Sequence, residues 1–199
     1  MIFIIELSGT IAFAISGILE ARRQNMDLIG VFTLAFITAL GGGTLRDILL
    51  NRHPLIWVAD PSYALMIFGL SVIGAIIFRG NHFHPAERWI VIPDALGLGL
   101  FAATGTAYAL NLDISVFVAL LLGVITATFG GVLRDLFCAE IPSVFRRTQL
   151  YATCAFAASF AYWFIHASGG DHEISTFVSI FVGASLRLLA LRFDWRLPI

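Results

Sequence analysis

The sequence predicts an all-α integral membrane protein of seven transmembrane helices, arranged as two inverted three-helix repeats followed by one C-terminal helix. Three observations carry that expectation. The chain of 199 residues is 59% hydrophobic and only 13% charged, where a soluble domain carries about a quarter charged residues. Its apolar residues collect in seven long runs that have no polar stripe to turn toward water. Its two halves also match one another, without a gap, at a displacement of 88 residues.

A helix that crosses the hydrocarbon core needs about 20 predominantly apolar residues. In order, the runs extend from Ile2 to Leu19, Leu28 to Leu50, Ser62 to Phe78, Trp89 to Leu110, Ile114 to Cys138, Leu150 to His166, and Ile174 to Leu191. The first lacks a basic n-region, contains Glu6 and offers no A-x-A cleavage site, so it reads as a retained helix and not as a signal peptide. The short connections leave no room for a soluble catalytic domain. Residues 1–199 therefore read as a single membrane domain, with the first repeat over 2–87, the second over 88–168, and the seventh helix and tail over 169–199.

Orientation follows from arginine, which supplies all twelve basic residues. Cytoplasmic loops collect such residues. The connections after spans one, three and five and the C-terminal tail hold Arg22, Arg23, Arg79, Arg88, Arg146, Arg147, Arg192 and Arg196, whereas the opposite connections hold only Arg52. The expectation is a multi-pass protein of the cell (inner) membrane with its N-terminus outside and its C-terminus in the cytoplasm.

The displacement of 88 residues pairs Phe13 with Phe101, Gly17 with Gly105, Thr38 with Thr126, Gly42-Gly43 with Gly130-Gly131, and Pro54 with Pro142. It also pairs Leu45-Arg46-Asp47 with Leu133-Arg134-Asp135, Tyr63 with Tyr151, Glu6 with Asp94, and Ser16 with Thr104. Hydrophobic similarity between membrane helices is common, but a gapless match that includes glycines, a proline and an Arg-Asp pair reads as a duplication. Each copy has three spans, so the second copy enters the bilayer from the other side. Inverted repeats of this kind place a solute or ion pathway at their interface. The seventh span lies outside the duplication and is expected only to pack and to orient the C-terminus.

Spans two and five carry the most informative segments, Thr38 to Asp47 with Gly41, Gly42 and Gly43, and Thr126 to Asp135 with Gly130 and Gly131. Each glycine lowers helix stability by about 1 kcal/mol relative to alanine, so a kink or unwound turn is expected near Gly42 and Gly130. Backbone carbonyls freed there, with the hydroxyls of Thr38 and Thr126, would suit a partly dehydrated monovalent cation. Close helix packing is the other use of such glycines. Their recurrence at equivalent positions in both halves favours the pathway.

Ionisable residues in a span pair with one another, line a hydrated cavity, or snorkel to an interface. Topology puts Glu6 and Arg46 at one depth, and Asp94 and Arg134 at the equivalent depth on the other side, so these are expected to pair as two charged latches. Asp47 and Asp135 are the rival partners. Adjacent helical residues point about 100° apart, so neither aspartate is expected to reach its own neighbouring arginine.

Enzyme signals are missing: no nucleotide loop, no H-E-x-x-H, no paired-cysteine metal site, no G-x-S-x-G elbow. His53, His82, His84, His166 and His172 fall in connections or at span ends, and Cys138 and Cys154 read as packing residues. No cofactor and no nucleic-acid partner is expected; the partner implied by composition is membrane lipid.

The Gly-Gly-Gly-Thr-Leu-Arg-Asp segment at 41–47 and the Gly-Gly-Val-Leu-Arg-Asp segment at 130–135, in a seven-span chain with inverted three-helix repeats, resemble the prokaryotic branch of the trimeric intracellular cation channel family. That branch overlaps a domain family historically labelled as glycine transporters. The resemblance extends from Glu6 through span seven. It implies a homotrimer with one pore per subunit that conducts monovalent cations, mainly potassium, beside kinked second and fifth helices. Phe129 stands where a third glycine would complete the second motif, and the chain has no lysine with which to match the lipid-binding signature of the animal channels. A secondary transporter of a small solute such as glycine is the other function that these features suit, since both classes use inverted repeats and midplane sites.

Overall fold

The computed structural model describes residues 2–78, 87–146 and 150–196. Arg79, His82, His84 and Arg147 lie outside them, as does the side chain of Arg88. Every apolar run becomes a helix: α1 (Ile2–Arg23), α2 (Leu28–Leu49), α4 (Ser62–Ile77), α5 (Glu87–Leu110), α6 (Val116–Phe137), α7 (Tyr151–Ala167) and α8 (His172–Arg192). A four-residue helix, α3 (Ile56–Ala59), precedes α4, and a 3-10 turn, Ser143–Phe145, precedes α7. No strand occurs among the described residues.

Helices α1, α2, α5, α6 and α8 are long and apolar enough to cross a membrane. The shorter α4 is apolar over 16 residues, and α7 has 17. At 1.5 Å per residue these two reach about 25 Å, a little short of a hydrocarbon core of about 30 Å. Helix α1 overruns its apolar stretch by a polar last turn that holds Glu20, Arg22 and Arg23, because a helix ends where capping dictates and not where hydropathy falls. Asp27 then starts α2, its Oδ1 accepting the Gly30 amide at 2.8 Å.

The duplication is visible in the backbone as well as in side chains. Asn25 and Asp113, which follow α1 and α5, have φ of 54° and 53°; Asn51 and Ala139, which follow α2 and α6, have φ of 51° and 55°. Members of each pair stand 88 residues apart. Asn and Asp tolerate this left-handed region, whereas Ala139 occupies it without such help.

Helix α1 packs on α2, α4 and α5, α6 packs on α2, α5 and α7, and α8 lies against α5 and α7. In lipid no hydrophobic force draws helices together, so association depends on close packing of small residues. Ala14, Ala35, Ala39, Ala102 and Ala127 are all buried at these seams. A Cβ at Gly17 would stand 2.8 Å from the Ala35 Cα, and one at Gly105 would stand 2.8 Å from the Leu122 carbonyl oxygen. The outward faces carry Phe3, Ile29, Leu65, Ile76, Phe117, Phe177 and Phe181 in exposed positions, which a bilayer accepts and water does not.

The two ends of the bundle differ in charge. At one end Arg22 Nη2 donates to the Phe78 carbonyl at 2.5 Å, and Arg23 and Arg146 both reach Glu140, at 2.6 and 3.0 Å. This ties the C-terminal ends of α1 and α4 to the α6–α7 connection. Arg52 lies at the other end, with the N-terminal half of α1 and the C-terminal end of α5.

Candidate ion pathway

Two buried arginine clusters occupy equivalent places in the repeats. In the first, Arg46 of α2 is 1% exposed. Its Nη1 lies 2.7 Å from Glu6 Oε1 of α1, and its Nε and Nη2 lie 2.9 and 2.8 Å from Asp47 Oδ1. Tyr108 of α5 completes the cluster: its hydroxyl donates to Glu6 Oε2 at 3.1 Å, and the guanidinium groups of Arg46 and Arg52 lie 4.4 and 3.8 Å from its ring centroid. Arg52 Nη1 also reaches Asp47 Oδ1 at 3.2 Å. The formal charges of Glu6, Asp47, Arg46 and Arg52 balance. A cavity of only about 10 Å³ remains beside this cluster, lined by Glu6, Arg46, Tyr63 and Phe101 among others.

In the second cluster, Arg134 of α6 takes the place of Arg46. Its Nη1 donates to Asp94 Oδ1 of α5 at 2.6 Å and to Ser16 Oγ of α1 at 2.7 Å. Its Nε and Nη2 donate to Asp135 Oδ1 at 3.0 and 2.9 Å. Asp135 uses its other oxygen to hold the turn before α7, accepting the Ser143 amide at 2.8 Å and the Ser143 hydroxyl at 3.0 Å. Ser16 in turn donates to the Ile90 carbonyl at 3.3 Å, three residues before Pro93 within α5. The cavity here is larger, about 50 Å³, and is lined by Glu20, Asp94, Arg134, Asp135, Glu140 and Arg187 among others.

The structure thus brings Glu6 to Arg46 and Asp94 to Arg134, and it corrects the expectation for the aspartates. Asp47 and Asp135 do bond their own neighbours. The 100° between adjacent Cα–Cβ directions is overcome because the long arginine side chain bends back along the helix, so each guanidinium holds two carboxylates at once. None of the four carboxylates is stranded. Pairs of this kind add little net stability, since desolvation offsets attraction, but removing one partner costs about 3–5 kcal/mol.

The glycine segments also behave differently from the expectation of unwinding. Helix α2 is uninterrupted from Leu28 to Leu49, and α6 from Val116 to Phe137. With no water to compete for backbone groups, a membrane helix keeps its ladder even through three glycines. The glycines instead let α2 and α6 cross in close contact. A Cβ at Gly42 would stand 2.1 Å from the Thr126 carbonyl oxygen, and one at Gly130 would stand 2.2 Å from the Thr38 carbonyl oxygen. Gly41 faces Leu133, Gly131 faces the Tyr151 hydroxyl, and Gly43 has Arg46 Nη2 as its nearest neighbour. Thr38 and Thr126 are fully buried, and each hydroxyl donates to the carbonyl four residues back, Leu34 and Leu122, at 2.6 Å. Neither freed carbonyls nor open hydroxyls are therefore presented to a cation near Gly42 and Gly130 in this conformation.

Four side chains were given no role at the clusters by the sequence. Tyr108 has Glu20 as its repeat equivalent, so the duplication gave it no prominence. Tyr63 and Tyr151 are a repeat pair and are buried beside the two clusters. Arg187 of α8 is 2% exposed, stacks 4.6 Å over the Tyr151 ring and lines the second cavity. Helix α8 therefore does more than pack. Arg187 adds the fourth charge that Arg52 supplies to the first cluster, and its presence within an apolar span was the signal.

Comparison with known proteins agrees along the whole length. The family model described as Glycine transporter matches twice, over residues 3–79 and 91–167, segments that stand 88 residues apart. A UPF0126 membrane protein of Vibrio cholerae serotype O1 is 34% identical over 201 residues, which cover 100% of this chain and 82% of the relative. The UPF0126 inner membrane protein YadS of Escherichia coli strain K12 is 33% identical over 204 residues, 100% of this chain and 95% of the relative. Among solved structures, the TRIC trimeric intracellular cation channel orthologue from Rhodobacter sphaeroides superposes with a TM-score of 0.89 at 34% identity, covering 98% of both chains. A TRIC cation channel solved to explain conductance superposes with a TM-score of 0.85 at 35% identity, covering 98% of this chain and 95% of the other.

Proposed function

This chain belongs to the trimeric intracellular cation channel family, and from that premise we propose that it is a passive channel for monovalent cations, mainly potassium, and not an enzyme. The observation that carries the reading is the likeness to TRIC channels over 98% of the chain at a TM-score of 0.89, together with buried, charge-balanced clusters inside an otherwise apolar bundle. Ionisable groups at such depth are costly and mark ion pathways. The protein assembles as a homotrimer in the inner membrane, each subunit with its own pore and seven spans, the N-terminus outside and the C-terminus in the cytoplasm. The repeats are inverted, so the first cluster guards the outer mouth and the second the inner mouth.

The path runs between the clusters, past the crossing of α2 and α6 at Gly42 and Gly130, and the pairs Glu6–Arg46 and Asp94–Arg134 act as latches that part when it opens. What supports this is their placement on different helices, so that helix movement must break them. A secondary transporter of a small solute such as glycine is the second reading, favoured by the description of the matching family model. Proteoliposomes decide between them. Potassium efflux that does not saturate and needs no glycine supports the channel; saturable glycine uptake without potassium flux replaces it with the transporter.

A further inference from the structure

Between the two charge clusters lies a pair of aromatic rings that the channel reading leaves without a role. Phe13 of α1 and Phe101 of α5 are repeat equivalents, 88 residues apart. Their ring centroids are 5.1 Å apart with an interplanar angle of 45°, and the residues are 0% and 4% exposed. Each follows its own cluster acid by seven residues, Glu6 before Phe13 and Asp94 before Phe101, so each lies about 10 Å along its helix toward the middle of the bundle. Phe101 forms part of the wall of the first cavity, with Glu6 and Arg46. Phe13 lies one turn before Ser16, which accepts from Arg134 of the second cluster. The rings therefore divide one cluster from the other.

The seats of the rings are reciprocal. A Cβ at Gly97 of α5 would stand 2.2 Å from Phe13 Cδ1, and one at Gly9 of α1 would stand 3.2 Å from Phe101 Cε2. Gly9 and Gly97 are themselves 88 residues apart. Gly130 of α6 gives Phe13 a second bare surface, 3.2 Å from Cδ2 to the position of an added Cβ. Each helix thus carries one ring and one glycine seat for the ring of the other. The two rings meet at a tilt, each carried by one repeat and seated on a glycine of the other. An apolar constriction between hydrated ends stops ions by excluding water.

We infer that Phe13 and Phe101 together form the closed gate of the cation pathway, with Gly9 and Gly97 as the seats that hold the rings across it. This rests on the channel reading. Opening requires the rings to leave one another, by rotation or sliding of α1 against α5, and the charged clusters bias that movement from either end.

The test is planar-bilayer recording of the purified full-length protein with Phe13→Ala, Phe101→Ala and both together. Losing an aromatic pair interaction of about 1.4 kcal/mol corresponds to about a tenfold rise in the open-to-closed ratio. The result expected is a rise of that order in the open-to-closed ratio for each alanine variant, with Phe13→Leu, which loses the ring contact but keeps apolar bulk, between them and the parent. Variants that elute as the parent does on size exclusion and show its open probability overturn the gate. If alanine variants do not fold, Phe13→Cys with Phe101→Cys, in a chain whose Cys138 and Cys154 are serine, takes their place. Cadmium ions alone should then block the current of the cysteine pair reversibly; a current indifferent to cadmium overturns the gate. Absence of current from the parent and from every variant refutes the channel reading and the gate with it, whereas a conducting parent with unresponsive variants refutes the gate alone.

Discussion

Gly42→Ala sets two effects of known size against each other. Helix propensity favours alanine by about 1 kcal/mol, and if the glycines of α2 served to soften the helix, the substitution would stiffen and stabilise it. Sterics oppose this. The new Cβ would stand 2.1 Å from the Thr126 carbonyl oxygen, where real Cβ contacts keep at least 3.0 Å, so α2 and α6 must part by about 1 Å. The obstructing atom is backbone in an uninterrupted helix and has no rotamer to move to. A gap of 0.5–1 Å forfeits about a quarter to a half of each dispersion contact along the seam, and overpacking costs about 1–3 kcal/mol. The net expectation is destabilisation by up to about 2 kcal/mol after the propensity gain is subtracted. Gly130→Ala should behave alike, since its Cβ meets the Thr38 carbonyl oxygen at 2.2 Å. Gly43→Ala is the control: its nearest neighbour is Arg46 Nη2 at 3.8 Å, so propensity acts alone and stability holds or rises. Thermal unfolding of the purified variants in one detergent, followed by tryptophan fluorescence and by size exclusion, gives the ranking. A Gly42→Ala protein more stable than its parent, or a Gly43→Ala protein less stable than Gly42→Ala, would refute the close crossing.

Three further outcomes follow from the clusters and the arginine distribution. Arg134→Ala leaves Asp94 and Asp135 buried without their cation and should cost about 3–5 kcal/mol; exchanging Asp94 and Arg134 should recover part of the loss in the same unfolding assay, and no recovery would remove the pairing as the cause. Tyr108→Phe, which deletes only the hydroxyl that donates to Glu6, should cost about 1 kcal/mol; Tyr108→Leu should cost more, because both cation–π contacts of about 0.5–2 kcal/mol go with the ring. A reporter fused to the C-terminus should be cytoplasmic and one at the N-terminus external, and finding both on one side would contradict the seven-span topology.

Much of this was legible in the sequence because the bilayer imposes few and strong rules. Each of the seven apolar runs became a helix, and two pairs of residues aligned by the displacement of 88, those that follow α1 and α5 and those that follow α2 and α6, share the left-handed backbone region. The proximity of Glu6 to Arg46 and of Asp94 to Arg134 was readable from depth alone. What misled was local reasoning applied to groups whose role is tertiary. Glycine propensity describes an isolated helix, whereas Gly42 and Gly130 act through the Cβ they lack against a neighbouring backbone. The 100° rule describes where side chains start, and Arg46 and Arg134 are long enough to end beside their own neighbours. Tyr108 and Arg187 break the symmetry that guided the search, and only the folded chain shows that each completes a cluster.

Conduction is the property that defines the proposed channel. Purified protein in a planar bilayer between unequal potassium chloride solutions should give discrete unitary currents that reverse near the potassium potential, without any added solute. Currents that reverse near the chloride potential, or no unitary events together with saturable glycine uptake by the same preparation, would contradict it.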